Sequence, residues 1–121
     1  MKKLLLIGTF FLFVFAQVPV FAHAPSGIDG QVNQKSGELN IKIMHDIDKT
    51  PAKDVTKHFV KTVVIELNNV KLTDLSFEKQ ENSKFQNAKY KIEKPLKKGD
   101  KISITANCSI KGSYKKVILV K

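Results

Sequence analysis

Four residues of this chain carry an imidazole or a thiol, side chains that bind transition metals, and three of them fall at the ends of predicted strands. They are His23, His45, His58 and Cys108. His45 ends one predicted strand, His58 begins the next, and Cys108 ends a later strand just before a turn. The loop 46–57 joins the first two strands, so the two imidazoles can face each other across its mouth. Imidazole and thiolate ligands suit soft and borderline metal ions, and the joint placement predicts a metal site at one end of the fold.

Each of these residues, taken alone, also has a plainer interpretation. A single histidine is usually a surface imidazole. Cys108 shares the strand parity of Ile102, Ile104 and Ala106, which is typical of a small buried hydrophobic residue. A purely structural role for the thiol therefore stays open beside the metal hypothesis, and the joint placement is what favours the metal.

The first 22 residues have the pattern of a secretory signal peptide. Lys2 and Lys3 form a positive n-region, an apolar run follows over residues 4–16, and residues 20–22 (Val-Phe-Ala) form a small-residue cleavage site. The apolar run is shorter than the ~20 residues that a spanning helix needs. We therefore predict a signal peptide over residues 1–22, an exported protein that is periplasmic or secreted, and no membrane span after cleavage.

Cleavage after residue 22 makes His23 the first residue of the mature chain, with both an imidazole and a free α-amine. The remaining residues 23–121 are long enough for one domain with a modest core, which excludes an enzyme with separate cofactor and substrate domains. Loss of the two signal-peptide lysines takes the net charge from +10 to +8. The basic residues are all lysines, and bidentate phosphate recognition is mainly arginine work, so we predict no nucleic-acid partner.

Apolar residues in the mature chain recur with a period of two, which indicates β-strands rather than helices. An Asn68-Asn69 pair between two such runs predicts a two-residue hairpin turn. One helical turn is predicted over 51–58, with Thr50 as its cap. The predicted fold is all-β, an immunoglobulin-like seven-stranded antiparallel β-sandwich. Its strands are predicted at 28–34, 38–45, 58–68, 70–78, 84–93, 101–108 and 113–120.

The mature chain resembles the iron-binding domain of superoxide reductase (desulfoferrodoxin), and more closely its small exported, uncharacterised relatives. The resemblance spans residues 23–120 and is carried by four short stretches: His23-Ala24-Pro25-Ser26, Ile43-Met44-His45, His58-Phe59-Val60-Lys61, and Asn107 to Tyr114. The resemblance implies a sandwich that holds one iron ion by four imidazoles and one thiolate, with an open position opposite the sulfur. It also implies reduction of superoxide at that position.

Residue by residue, the resemblance assigns His23 as the N-terminal ligand, His45 and His58 as the pair between strands, and Cys108 as the axial thiolate. The last histidine of the family falls at Lys111, so one imidazole is missing, and His45 and His58 stand farther apart than the family's pair, with twelve residues between them. A positive charge beside the open position attracts the superoxide anion, and Lys111 or Lys61 can supply it; we predict a catalytic role for Lys111. Either three histidines and the cysteine hold the metal, or the metal has been lost.

Three functional hypotheses follow. The first is an exported mononuclear metal protein of the superoxide reductase type, with iron as the first expectation, copper or zinc as alternatives, and a small redox donor protein as a partner. The second is a metal carrier, for copper, that uses the N-terminal histidine. The third is a metal-free sandwich that acts as an interaction module, since a fold alone does not specify a partner.

Overall fold

The computed structural model describes residues 24–48 and 50–121, and these residues form seven strands and no helix. The strands are β1 (Gly27–Val32), β2 (Glu38–Met44), β3 (Val60–Leu67), β4 (Val70–Ser76), β5 (Phe85–Lys91), β6 (Lys101–Cys108) and β7 (Ser113–Leu119). They pair into two antiparallel sheets, with the strand orders β1-β2-β5 and β4-β3-β6-β7. The predicted all-β sandwich of seven antiparallel strands is confirmed. The predicted signal peptide and His23 lie outside the described residues.

The core lies between the two sheets, where alternate residues of the central strands meet. In β2 the buried side chains are Leu39, Ile41 and Ile43, and the inner residues of β6 include Ile102 and Ile104. Burial of one such aliphatic side chain contributes roughly 1.5–3 kcal/mol. The alternating apolar side chains therefore supply most of the free energy that holds the two sheets together. Within the described residues, no helix is long and apolar enough to cross a membrane.

A β-bulge interrupts the pairing of β3 with β6 close to the cysteine. Val60 pairs with Cys108, but the next pair along the ladder is Thr62 with Asn107, so Lys61 is an extra residue in β3. Bulges of this kind bend a strand and redirect the side chains beyond them. The bulge therefore changes which face of the sheet the side chains of β3 point to, at the end of the sheet where the metal ligands were predicted.

The bulge changes which side chains at the start of β3 face the core. A continuous alternation back from Val63 would place Phe59 inside. In the structure Val60 is buried and Phe59 is only partly buried, because the extra residue shifts the parity by one. His58, two residues before Val60, is fully buried as well. The predicted start of this strand at residue 58 is therefore two residues too early.

The predicted hairpin turn between β3 and β4 is confirmed. Asn68 and Asn69 both have positive φ angles, 50° and 71°, as a two-residue turn of this kind requires. The side chain of Asn68 also holds the neighbouring turn, since its Oδ1 accepts a hydrogen bond from the backbone N–H of Lys101 and its Nδ2 donates to Asp100.

The predicted helical turn over 51–58 forms only a short hydrogen-bonded turn. The carbonyl oxygen of Asp54 accepts from the N–H groups of Lys57 and His58. Thr50 does not cap a helix, because its hydroxyl lies 2.8 Å from the carbonyl oxygen of Ile47 and 3.0 Å from that of Ala52. The loop therefore forms no helix, and its hydrogen bonds include one to the backbone N–H of the histidine that follows it, His58.

Candidate metal site

Three of the predicted ligand residues meet at one end of the sandwich. His45 directly follows β2, His58 lies two residues before β3, and Cys108 is the last residue of β6. Both histidines are fully buried, and Cys108 is 8% exposed. One ligand atom of each residue lies within 4.8 Å of the other two. The imidazole rings meet edge to face, with their centroids 4.8 Å apart.

His45 is held in place by the neighbouring segment 80–84. Its backbone N–H donates to the carbonyl oxygen of Lys84 at 2.9 Å, and its ring Nδ1 lies 2.7 Å from Oε1 of Gln80. Gln80 is fully buried and was missed by the sequence analysis. It stands between a lysine and a glutamate in a loop, where neither periodicity nor a motif marks a buried amide.

His58 is held from the loop that precedes it. Its Nδ1 lies 3.0 Å from the carbonyl oxygen of Ala52 and 3.3 Å from Oγ1 of Thr50. A carbonyl oxygen only accepts hydrogen bonds, so Nδ1 of His58 carries the proton and donates it. In the neutral ring Nε2 then carries the lone pair, which is the form in which an imidazole binds a metal.

The surroundings of Cys108 favour its thiolate. Burial, the largest single effect, raises the pKa of the thiol, but hydrogen bonds from His45 and from the backbone N–H groups of Lys111 and Ile110 outweigh it and lower the pKa. The Ile110 N–H lies 3.5 Å from Sγ. The thiolate is the form that binds metals, so the turn after β6 prepares the sulfur for that role.

Lys111, the predicted catalytic residue, lies in the exposed turn that follows Cys108. Its backbone N–H points at the sulfur, so its side chain starts beside the cluster. The chain also enters the described structure at this turn, because Ala24 packs against Gly112. His23, the remaining predicted ligand, is the residue bonded to Ala24.

An ion-pair group lies on the surface of the loop after His45. The ammonium of Lys84 contacts Asp46 at 3.3 Å and Asp48 at 2.9 Å, with all three side chains about half exposed. Exposed pairs contribute little to stability. These contacts tie the loop 46–57 to the segment before β5, which is the segment that holds Gln80.

Comparison with known proteins supports the fold and names no family. No protein-family model and no curated protein matches the chain. Among solved structures, a hypothetical protein from Pyrococcus horikoshii OT3 matches with a TM-score of 0.51 and 13% identity, covering 84% of this chain and 91% of that one. A superoxide reductase from Nanoarchaeum equitans is a distant structural neighbour, with a TM-score of 0.44 and 14% identity, covering 81% and 92%. The first of these likenesses shows a shared fold.

Proposed function

We propose that this protein is an exported mononuclear metal protein of the superoxide reductase type. The observation that carries the proposal is the buried cluster of His45, His58 and Cys108, whose ligand atoms lie within 4.8 Å of one another. Imidazole nitrogen and thiolate sulfur atoms that meet in this way form a ligand set for one transition-metal ion.

The cluster fits one transition-metal ion in size and in chemistry. Metal–nitrogen and metal–sulfur bonds of ~2.0–2.1 and ~2.3 Å at tetrahedral angles place neighbouring ligand atoms roughly 3.3–3.6 Å apart. The three ligand atoms lie within 4.8 Å of one another, so a closure of about 1 Å brings them to bonding distance of one ion. Nδ1 of each histidine is engaged by a neighbouring oxygen atom, so Nε2 is the atom offered to the metal.

We propose iron as the resident ion, with copper or zinc as the alternatives, and His23 as a further ligand. The support for iron is the resemblance of the mature chain to the iron-binding domain of superoxide reductase. The support for His23 is the contact of the next residue, Ala24, with Gly112 in the cysteine turn. The imidazole or the α-amine of His23 then takes the place of the histidine that Lys111 replaces.

We propose that the protein reduces superoxide at this site. When bound, iron supplies one-electron chemistry, and a thiolate ligand such as Cys108 raises its electron density. Each superoxide needs one electron and two protons to become hydrogen peroxide, so a small redox donor protein is the expected partner. Lys111 extends from the turn beside the sulfur, and its positive charge attracts the anionic substrate.

The metal content of the purified protein tests this proposal. The protein is exported with its own N-terminal segment and purified without chelators or an N-terminal tag. We expect about one iron per chain, lost in Cys108→Ser and retained in Ser113→Ala, an exposed change on the same hairpin. Superoxide consumption is measured next. A protein that contains no metal and takes up none on titration contradicts the proposal and leaves the interaction module.

A copper carrier is the second candidate, and the composition of the cluster favours it. Two imidazoles with one thiolate form a ligand set that proteins use for copper, and soft thiolates select Cu(I). A carrier binds copper tightly, passes it to an acceptor and consumes no superoxide. Copper in the exported protein, with no superoxide turnover, would decide for this function over the first.

We also propose that the mature protein works outside the cytoplasm, in the periplasm or as a secreted protein. The support is the signal-peptide pattern of residues 1–22. We propose in addition that the sandwich is immunoglobulin-like, which its two antiparallel sheets of three and four strands support. Sequencing of the N-terminus of the exported protein tests the cleavage after residue 22.

A further inference from the structure

Every polar atom of the Gln80 side chain is hydrogen-bonded inside the protein. Its Nε2 donates to the carbonyl oxygens of His45 and Asn82, both at 2.8 Å. Its Oε1 lies 3.2 Å from the backbone N–H of Val60 and 2.7 Å from Nδ1 of His45. The backbone N–H of Gln80 donates to Val55 at 2.9 Å. An amide side chain has two donor hydrogens and two acceptor positions, and all of them are used here.

These contacts permit only one orientation of the amide. In the reversed orientation the amide oxygen would face the carbonyl oxygens of His45 and Asn82, and the NH2 group would face the N–H of Val60. Each buried polar group left unpaired in this way costs roughly 1–3 kcal/mol. Oε1 therefore faces Nδ1 of His45, and an oxygen that only accepts requires that Nδ1 carry the hydrogen.

We infer that Gln80 is a positioning residue that keeps a hydrogen on Nδ1 of His45, so that Nε2 is the nitrogen left for a metal ion, before any metal is bound. His58 receives the same tautomer from the carbonyl oxygen of Ala52. Both imidazoles are thus prepared as metal ligands by neutral acceptors instead of carboxylates. The use of this arrangement for metal binding rests on the proposed function, while the tautomer itself does not.

Nuclear magnetic resonance of the ring nitrogens tests the tautomer in the metal-free protein. At about pH 8 we expect His45 to carry a hydrogen on Nδ1, the nitrogen that faces Oε1 of Gln80. Gln80→Met should lose this preference. The matched control is Gln86→Met, because Gln86 is also buried but bonds to Glu81 and Asn87 instead of a histidine. A wild-type His45 with its hydrogen on Nε2, or an unchanged tautomer in Gln80→Met, overturns the inference.

Titration with Zn²⁺ against a chelator measures what the tautomer does for binding. Loss of a partner that orients a metal-binding histidine costs 10–100-fold in affinity, and we expect that loss in Gln80→Met and none in Gln86→Met. Gln80→Glu keeps an acceptor for His45 and Val60, so it should keep the hydrogen on Nδ1. Its second oxygen faces the carbonyl oxygens of His45 and Asn82, which costs stability. Equal affinity in a folded Gln80→Met, or loss of the tautomer in Gln80→Glu, contradicts the positioning role. A wild-type protein that binds no Zn²⁺, Fe²⁺ or Cu⁺ overturns the proposed metal site and the use of the tautomer for metal binding, while the ring-nitrogen measurement still decides the tautomer itself.

Discussion

Ala24 packs against Gly112 so closely that a β-carbon on Gly112 would lie 2.9 Å from the β-carbon of Ala24. The glycine also has a φ angle of +91°, which other residues rarely adopt. The N-terminal end of the described chain therefore packs against the turn that follows Cys108, at a position where only glycine leaves enough space.

Gly112→Ala should destabilise the fold and loosen the N-terminal segment. A matched control is Gly99→Ala, because Gly99 has a φ of +93° but no atom within 4 Å of the added carbon. The control measures the backbone strain alone, about 1–3 kcal/mol. Gly112→Ala should cost more than the control in urea unfolding, and the variant should release a bound metal ion more easily. Equal costs in the two variants would show that the contact with Ala24 carries no weight.

Thr50→Val should weaken metal binding through His58. The hydroxyl of Thr50 contacts Nδ1 of His58 as well as two backbone carbonyl groups, and it is buried. Removal of a buried hydrogen-bonding group costs roughly 1–3 kcal/mol, and the ring loses part of its orientation. We expect a lower unfolding midpoint in urea and several-fold weaker Zn²⁺ binding.

Thr56→Val is the control for that change. Thr56 lies in the same loop, but it is exposed and its hydroxyl bonds only to Asp54. It should leave Zn²⁺ binding unchanged. The role assigned to Thr50 is wrong if both valine variants bind the metal as tightly as the unchanged protein.

Lys111→Ala should slow superoxide consumption with little change in metal content. The backbone N–H of Lys111 hydrogen-bonds to the sulfur, so its charged side chain starts from the turn beside it. Attraction between opposite charges raises the rate of encounter with superoxide. The rate of the unchanged protein should also fall with added salt, because salt screens this attraction, and the variant should be less sensitive. Lys115→Ala, an exposed change on β7, serves as the control. The same rate and salt dependence in both variants would rule out a steering role for Lys111.

Acid should destabilise the turn before β6 through Asp100. Hydrogen bonds from the backbone N–H of Lys97 and, to a lesser extent, from the side chain of Asn68 lower the pKa of this carboxyl group. The stabilisation is complete above the unfolded-state pKa of about 3.9 and is lost as pH falls through the lower folded-state pKa. Urea unfolding at about pH 6 and at lower pH should show a smaller loss in Asp100→Asn than in the unchanged protein. Asp74→Asn, which affects only an exposed ion pair with Lys71, should leave the loss as it was.

Most of the fold followed from the sequence because the strands are short, alternating and separated by turn residues. The alternation of Leu39, Ile41 and Ile43 marks the inner face of β2, and the positive φ angles at Asn68 and Asn69 follow from the residue type. The convergence of His45, His58 and Cys108 also agrees with the prediction, because strand ends on the same side of a sandwich meet. Local pattern was enough for each of these features.

The role of Gln80 and the bulge at Lys61 could not be predicted from the sequence, for two different physical reasons. The bonds of Gln80 reach residues 45, 55 and 60, so its role exists only after the sheets have packed. The bulge interrupts the strand period by one residue, and a single lysine in an apolar run gives the same signal as an ordinary exposed position. Information of this kind lies in tertiary contacts and not in local periodicity.

The oxygen atom Oε1 of Gln80 bridges the two sheets of the sandwich. Within the described residues, each strand ladder joins strands of the same sheet. This oxygen instead accepts from His45, just beyond β2 of one sheet, and from Val60, the first residue of β3 in the other. Opening the sandwich at this end breaks the same contact that orients the histidine. The rate at which the backbone amide hydrogen of Val60 exchanges with solvent is therefore a direct gauge of how long His45, His58 and Cys108 stay assembled.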